Sequence, residues 1–176
     1  MEPPPVPARV PASVVTTPEG VKLAAEADEV TLPSVQGEFG VLPEHRPLLA
    51  GLRSGIVSYS SGKDVEVVAI GPGFARVAED KVSILTVHFM KKADVDPIVA
   101  RKDLKENEEE LTALGEGAPE EARLRLVAAV RWAAVRLELY GDPPPPTILL
   151  GHEAPLIGHE DYTSALPEPD NAEPAI

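Results

Sequence analysis

"DEVTLPSVQGEFGVLPEHRPLL", Asp28 to Leu49, is the stretch on which the reading of this chain turns. Pro33, Gly37, Gly40, Pro43 and Pro47 punctuate it too often for a helix to form. What remains is short extended runs joined by tight turns. Two groups in it have acid–base chemistry, Glu38 and His45, and they admit two readings: a catalytic pair, or contacts on a surface that another molecule holds. A catalytic pair needs a third, orienting group and a pocket that excludes water, and the sequence offers no candidate for either. Gly37, Gly40 and Pro43 instead shape a protruding turn, and rigid scaffolds place their contacts on such loops.

Around this stretch, residues 13–90 read as β. The runs "SVVTT", "VKLAAEA", "DEVTLP", "EFGVL", "GIVSYS", "VEVVAI", "FARVA" and "KVSILTVHF" alternate with the turn signals "PEG", "SGKD", "GPG" and "AEDK". Val, Ile, Thr, Tyr and Phe fill the runs, as half-buried pleated surfaces favour. Turns recur at short intervals and no helical period intervenes, so an antiparallel sandwich or barrel is expected rather than a parallel α/β fold.

Near Ala93 the pattern changes. "DPIVARKDLKENEEELTALG" opens on Asp96 as N-cap with Pro97 at the first helical position, and Gly115 and Gly117 close it. Its apolar stripe is thin: Ile98, Leu104, Leu111 and Leu114. "PEEARLRLVAAVRWAAVRLELYG" follows, started by Pro119 and stopped by Gly141, with a wide apolar face of Leu126, Val127, Val130, Ala133, Ala134 and Leu137. The short "GEGA" connection implies two antiparallel helices across residues 91–140. A thin stripe buries little, so at about 25 cal/mol per Å² the hairpin docks by only a few kcal/mol. That strength suits a detachable switch and a fixed, solvated hairpin equally.

The ends are of another kind. Residues 1–12 are Pro-rich and expected to be disordered or extended. Residues 141–176 hold seven acidic side chains, many prolines and no Lys or Arg, and bury too little apolar surface to order themselves. The tail repeats "LLGHE" as "LIGHE". Its two His and two Glu do not meet the usual metal-ligand spacings, so a docking segment or plain disorder is the better reading, and no metal is expected. A formal charge of −13 argues against nucleic acid and anionic membranes as main partners. There is no Cys, which excludes disulfide and thiolate chemistry, and no apolar run long enough to span a bilayer. A soluble intracellular protein is expected.

"EADEVTLPSVQGEFGVLPEHRPLLAGLRSGIVSY" resembles the epsilon subunit of bacterial rotary (F-type) ATP synthases. Gly37, Glu38, Gly40, Pro43, His45, Pro47, Leu48, Leu49 and Gly55 stand in the family's order, and "AIGPGFARVAEDKVSILT" is similar to its later strand pair. The resemblance covers about residues 13–140. It implies a ten-stranded β-sandwich followed by a helical hairpin, in a non-catalytic central-stalk subunit of a proton-translocating synthase. It further implies binding to the gamma subunit and to the c-ring, at the cytoplasmic face of the inner membrane, without insertion and without a cofactor. Gly37, Glu38, Phe39, Gly40, Pro43 and His45 would form the c-ring and gamma interface, His45 either as a direct contact or as a satisfied turn residue.

The family's hairpin can extend toward the alpha and beta subunits and brake ATP hydrolysis. Arg123, Arg125, Arg131 and Arg136 are then the candidates to meet an acidic loop of beta, the other reading being a solvated helix. At 100° per residue they cannot all face one loop, and Arg136 is also placed to complement the helix C-terminus. Some members bind ATP through Ile/Leu-Asp-x-x-Arg-Ala. Here "VDPIVA" has Val99 in place of that Arg, so no ATP binding is expected. Glu44 stands where the family often has Gly, and the long acidic tail opposes full insertion of the hairpin. The alternative function is an autonomous sandwich that binds or hydrolyses a small molecule with Glu38 and His45.

Overall fold

The structure, a computed structural model, describes residues 10–115 and 117–144. Most of the proposed leader, residues 1–9, and the tail from 145 with its repeat lie outside the described residues. Ten strands come first: β1 (Val10–Thr17), β2 (Gly20–Ala27), β3 (Glu29–Ser34), β4 (Gly37–Val41), β5 (Leu48–Leu52), β6 (Gly55–Ser61), β7 (Asp64–Ile70), β8 (Gly73–Ala78), β9 (Lys81–Thr86) and β10 (Phe89–Lys91). A single 3-10 turn at Lys92–Asp94 leads to α1 (Pro97–Ala113) and α2 (Glu120–Tyr140). β1 thus begins inside the stretch read as leader. β5 and β10 were not separate runs in the sequence: β5 is broken in pattern by Gly51, and β10 is cut from β9 where the chain turns at Val87 and His88.

The strands pair in the order β10-β7-β6-β3-β5-β8-β9-β1-β2, with β4 hung on β3. The link between β3 and β5 is one residue pair, Ser34 with Leu52, and there the sheet folds over into two layers. Alternation explains which side chains go in. On β9, Val82, Ile84 and Thr86 are buried while Lys81, Ser83 and Leu85 are exposed. Val15, Val30, Leu32, Val57, Ile70 and Ile84 fill the space between the layers. Buried Thr86 keeps its hydroxyl satisfied by donating to Gly71 O at 2.9 Å. One pairing departs from the antiparallel expectation: β1 and β9 run parallel, with Val15 opposite Ile84. No hairpin joins two strands so far apart in the chain, so turn geometry does not dictate their direction.

The hairpin follows its signals. The Asp96 carboxylate accepts from Ile98 N–H at 2.9 Å and Val99 N–H at 3.1 Å, and Gly141 closes α2 at φ 106. Asp96→Ala is expected to cost about 1 kcal/mol of helix stability. Amide exchange checks it: Ile98 and Val99 should exchange faster, with β-strand amides unchanged. Ile98 does not join the apolar stripe of α1. It is 76 % exposed, and Ala100 is the buried residue of the first turns, because the row facing α2 runs through 100, 104, 107, 111 and 114.

α2 is apolar on two sides. Leu126, Val130, Ala133 and Leu137 share a helical face and are buried. Val135 and Leu139 turn the other way and pack with Ala69, Val95, Ile56, Val67 and Met90 on the outer surface of the β6–β7 layer.

Candidate functional site

The Glu38 turn is built from β3 and β4. Ser34 pairs with Gly37, leaving Val35 and Gln36 as the turn, and Ser34 Oγ accepts from Gln36 N–H at 3.0 Å. Gly37 has φ 128, a conformation that disfavours any side chain. Alternation then sends Glu38 and Gly40 outward and Phe39 inward, where Phe39 packs against the main core. Phe39 therefore anchors the hairpin from within. Pro43 and His45 lie beyond the far end of β4, and among the described residues no hydrogen bond or ion pair joins Glu38 to His45. At about 3.3 Å per residue, the stretch from Glu38 to Val41 alone spans roughly 10 Å.

His45 belongs to its own turn. Its N–H donates to Leu42 O at 3.2 Å, and its Nδ1 lies 2.8 Å from Arg46 O. A carbonyl only accepts, so Nδ1 carries the proton. Glu44 sits at φ 63, and its N–H donates to Asp80 Oδ1 at 2.8 Å, tying this turn to the one between β8 and β9. A left-handed residue at this point is the physical reason a glycine suits it.

Beside the Glu38 turn lies a surface that the sequence did not mark as a site. The outer face of the second layer, β5-β8-β9-β1-β2, carries Gly51, Phe74, Leu85, Thr16 and Val21 in one cross-strand row. A bulge between Val15 and Thr16 brings Val21 opposite Thr16 and holds it on this face. Val35, at the tip of the Glu38 turn, reaches over Gly51, so turn and face are continuous. Val35, Leu49, Phe74, Leu85 and Val21 are 39, 71, 59, 56 and 65 % exposed. The opposite outer face is covered by α2; among the described residues no element covers this one. The signal was available as alternation: Phe74 and Leu85 are large apolar residues in the outward phase of their strands, where polar residues are the norm.

The arginines of α2 separate. Arg136 Nη2 donates to Asp103 Oδ2 on α1 at 2.7 Å, its side chain only 12 % exposed. In this arrangement it clamps the hairpin rather than capping the helix end. Arg123 donates to Gly115 O at 3.4 Å at the hairpin tip, Arg131 is half-buried and Arg125 is exposed. A second clamp, Arg101 to Asp142, closes the open end of the hairpin. Asp103 is partly solvated, so a cycle of Asp103→Asn and Arg136→Gln should give a coupling of about 1–2 kcal/mol in thermal unfolding, below that of a fully buried pair. Near-zero coupling would mean the contact is idle. His88 stacks on Trp132 with ring centres 5.1 Å apart, a further α2–sandwich contact that no sequence pattern announced.

Residues 13–92 match the family model described as ATP synthase, Delta/Epsilon chain, beta-sandwich domain. The ATP synthase epsilon chain of Leptospira interrogans is 37 % identical over 94 residues, 53 % of this chain and 74 % of that one. This chain belongs to the ATP synthase epsilon-chain family. The epsilon chain 2 of Syntrophotalea carbinolica, 35 % identical over 127 residues, extends the likeness past the sandwich to 72 % of this chain and 91 % of that one. In fold, the epsilon-family chain is similar to a chain of the Euglena gracilis mitochondrial ATP synthase, OSCP/F1/c-ring structure, with a TM-score of 0.54, 23 % identity, and 73 % and 76 % of the two chains covered. It is also similar to a chain of the Tetrahymena thermophila mitochondrial ATP synthase central stalk/c-ring structure, with a TM-score of 0.50 and 10 % identity over 73 % and 95 % of the chains. Among the described residues of this epsilon-family chain, no helix is long and apolar enough to cross a membrane.

Proposed function

We propose that this chain is a non-catalytic central-stalk subunit that couples gamma to the c-ring of a proton-translocating synthase. The observation that carries the proposal is the asymmetry of the sandwich. One outer face is covered by α2, and the other presents Leu49, Phe74, Leu85 and Val21 to solvent. Fully burying a residue of this size contributes about 1.5–3 kcal/mol relative to exposure, so such a row favours a permanent partner. Gamma takes this face. The adjoining β3–β4 hairpin, with Gly37 and Glu38 beside its tip and Gly40 further along the same strand, meets the loops of the c-ring, where an exposed carboxylate fixes register more than it adds affinity; Pro43 and His45 add contacts from the separate turn beyond β4. The chain sits peripherally at the cytoplasmic face of the membrane, between ring and catalytic head.

The hairpin is the regulatory part. In the docked hairpin, Arg136 is held by Asp103. Extended toward alpha and beta, Arg123, Arg125, Arg131 and Arg136 are freed to meet acidic groups, and the hairpin restrains hydrolysis. Nucleotide binding on the docked hairpin is not part of this reading: Asp96 is occupied as the cap of α1, and Val99 offers no cation.

Phe74→Asp tests the gamma assignment. It sets a charge in the middle of the bare face and should weaken binding of the full chain to purified gamma by at least about 30-fold, as loss of a central apolar anchor does. The melting temperature should stay unchanged because the side chain is outside the core. Undiminished binding of a folded Phe74→Asp variant would remove gamma from this face.

A further inference from the structure

Arg76 stands in the middle of the bare face. It projects from β8 on the same side as Phe74, two residues away, hence about 7 Å along the strand. Its cross-strand neighbours are Leu49 on β5 and Ser83 on β9, and Ser83 in turn pairs with Val14 on β1. None of these is charged. The side chain is exposed, and among the described residues no carboxylate pairs with it and no hydrogen bond engages it. The nearby acidic residues Glu79 and Asp80 lie in the turn beyond the end of β8, where Asp80 is already accepting from Glu44. In a chain with 29 acidic and 16 basic side chains, a guanidinium left unpaired among uncharged cross-strand neighbours needs a reason.

Closing a partner over Phe74 and Leu85 takes Arg76 out of water as well. A desolvated guanidinium is costly unless a matching group comes with the partner, and the planar fork of Arg best fits a carboxylate, bidentately. We infer that the surface docking on this face brings an aspartate or glutamate to Arg76, which sets the register and selectivity of docking while the apolar row supplies adhesion. The inference rests on the reading that gamma is the occupant. The competing geometry lays the Arg76 stem across the face with its head at a wet rim, and it demands nothing of the partner.

The experiment titrates the full chain with purified gamma of the same synthase, for the unaltered protein and for Arg76→Gln, Arg76→Glu and Phe74→Asp. Circular dichroism melts check that each variant folds, as expected for exposed positions. Arg76→Gln should bind about 30-fold more weakly and Arg76→Glu at least 100-fold, since the gamma carboxylate is left buried and unpaired or facing its like. One Asp or Glu→Arg substitution on gamma should then restore binding to Arg76→Glu. If Phe74→Asp loses binding while both Arg76 variants stay within threefold of the unaltered chain, the carboxylate inference fails and the gamma reading stands. If all three variants bind normally, the gamma reading itself fails. Weakened Arg76 variants that no gamma carboxylate substitution rescues would also overturn the inference, because the loss would then not come from a paired charge.

Discussion

Replacing Gly73 by alanine unfolds the sandwich at temperatures the unaltered chain tolerates. A Cβ at this position would lie 2.0 Å from Leu85 O and 2.9 Å from Thr86 Cα, both backbone atoms of the paired strand β9. No rotamer change relieves such an overlap. Either β8 and β9 separate, losing the Phe74–Leu85 pair and the burial of Ile84, or Thr86 is displaced from the carbonyls that accept from its hydroxyl. We expect a loss of about 4 kcal/mol or more, the size reserved for backbone and core disruption, and a fall in melting temperature of roughly 15 °C or more. Gly62→Ala is the contrast. Gly62 has φ 62 but open space where an added Cβ would sit, so only the backbone preference is lost, about 1–2 kcal/mol. Thermal unfolding followed by circular dichroism compares the two. Equal, small shifts would mean that β8 and β9 have slack that the structure does not contain.

On the proposed regulatory role of the hairpin, removal of residues 91–176 from the assembled synthase is expected to raise ATP hydrolysis while proton-driven synthesis persists. The sandwich keeps its core, because Val15, Leu32, Val57, Ile70 and Ile84 are buried by each other and not by α2. What it loses is the cover over Ala69, Ile56, Val67 and Met90. The proposed restraint on hydrolysis would be a coupling between the hairpin and the catalytic subunits, and couplings of this kind are typically 1–3 kcal/mol. An increase of about fivefold or more is therefore expected in steady-state hydrolysis assays. Unchanged hydrolysis would leave the hairpin without a regulatory role. Deleting only residues 145–176 separates the tail from the hairpin.

The elements whose signals are local were legible in the sequence. Asp96, Pro97, Pro119 and Gly141 bound the helices within a residue of where they lie, since caps act on adjacent backbone. The hairpins of the sandwich were legible for the same reason: turn residues sit beside the strands they join. Features that depend on distant partners were not. The parallel β1–β9 pairing brings together strands more than sixty residues apart, and neither carries a mark of it. The second apolar side of α2 was missed because Val135 and Leu139 look like surplus hydrophobics until the β6–β7 layer is placed beneath them.

The candidate site divides in the same way. A hairpin at Gly37 could be read from its glycine, but the turn that Gly37, Gly40 and Pro43 were expected to shape lies at Val35 and Gln36, while Gly40 is inside β4 and Pro43 lies beyond it. Glu44 could be named as a departure from the family pattern, but its left-handed backbone and its tie to Asp80 appear only in three dimensions. The bare face needs the register of β5, β8, β9, β1 and β2 before Leu49, Phe74, Leu85 and Val21 become neighbours. Arg136 illustrates the limit of composition. One of four similar arginines on α2, it is the one fixed by Asp103 in the docked hairpin.

Affinity recovery of the tagged full chain from its native membranes, with identification of every co-purifying protein, tests the coupling role most directly. Gamma and c-ring components should come with it in stoichiometric amount and should be lost together in the Phe74→Asp variant. A chain recovered alone, with neither gamma nor ring, would contradict the account.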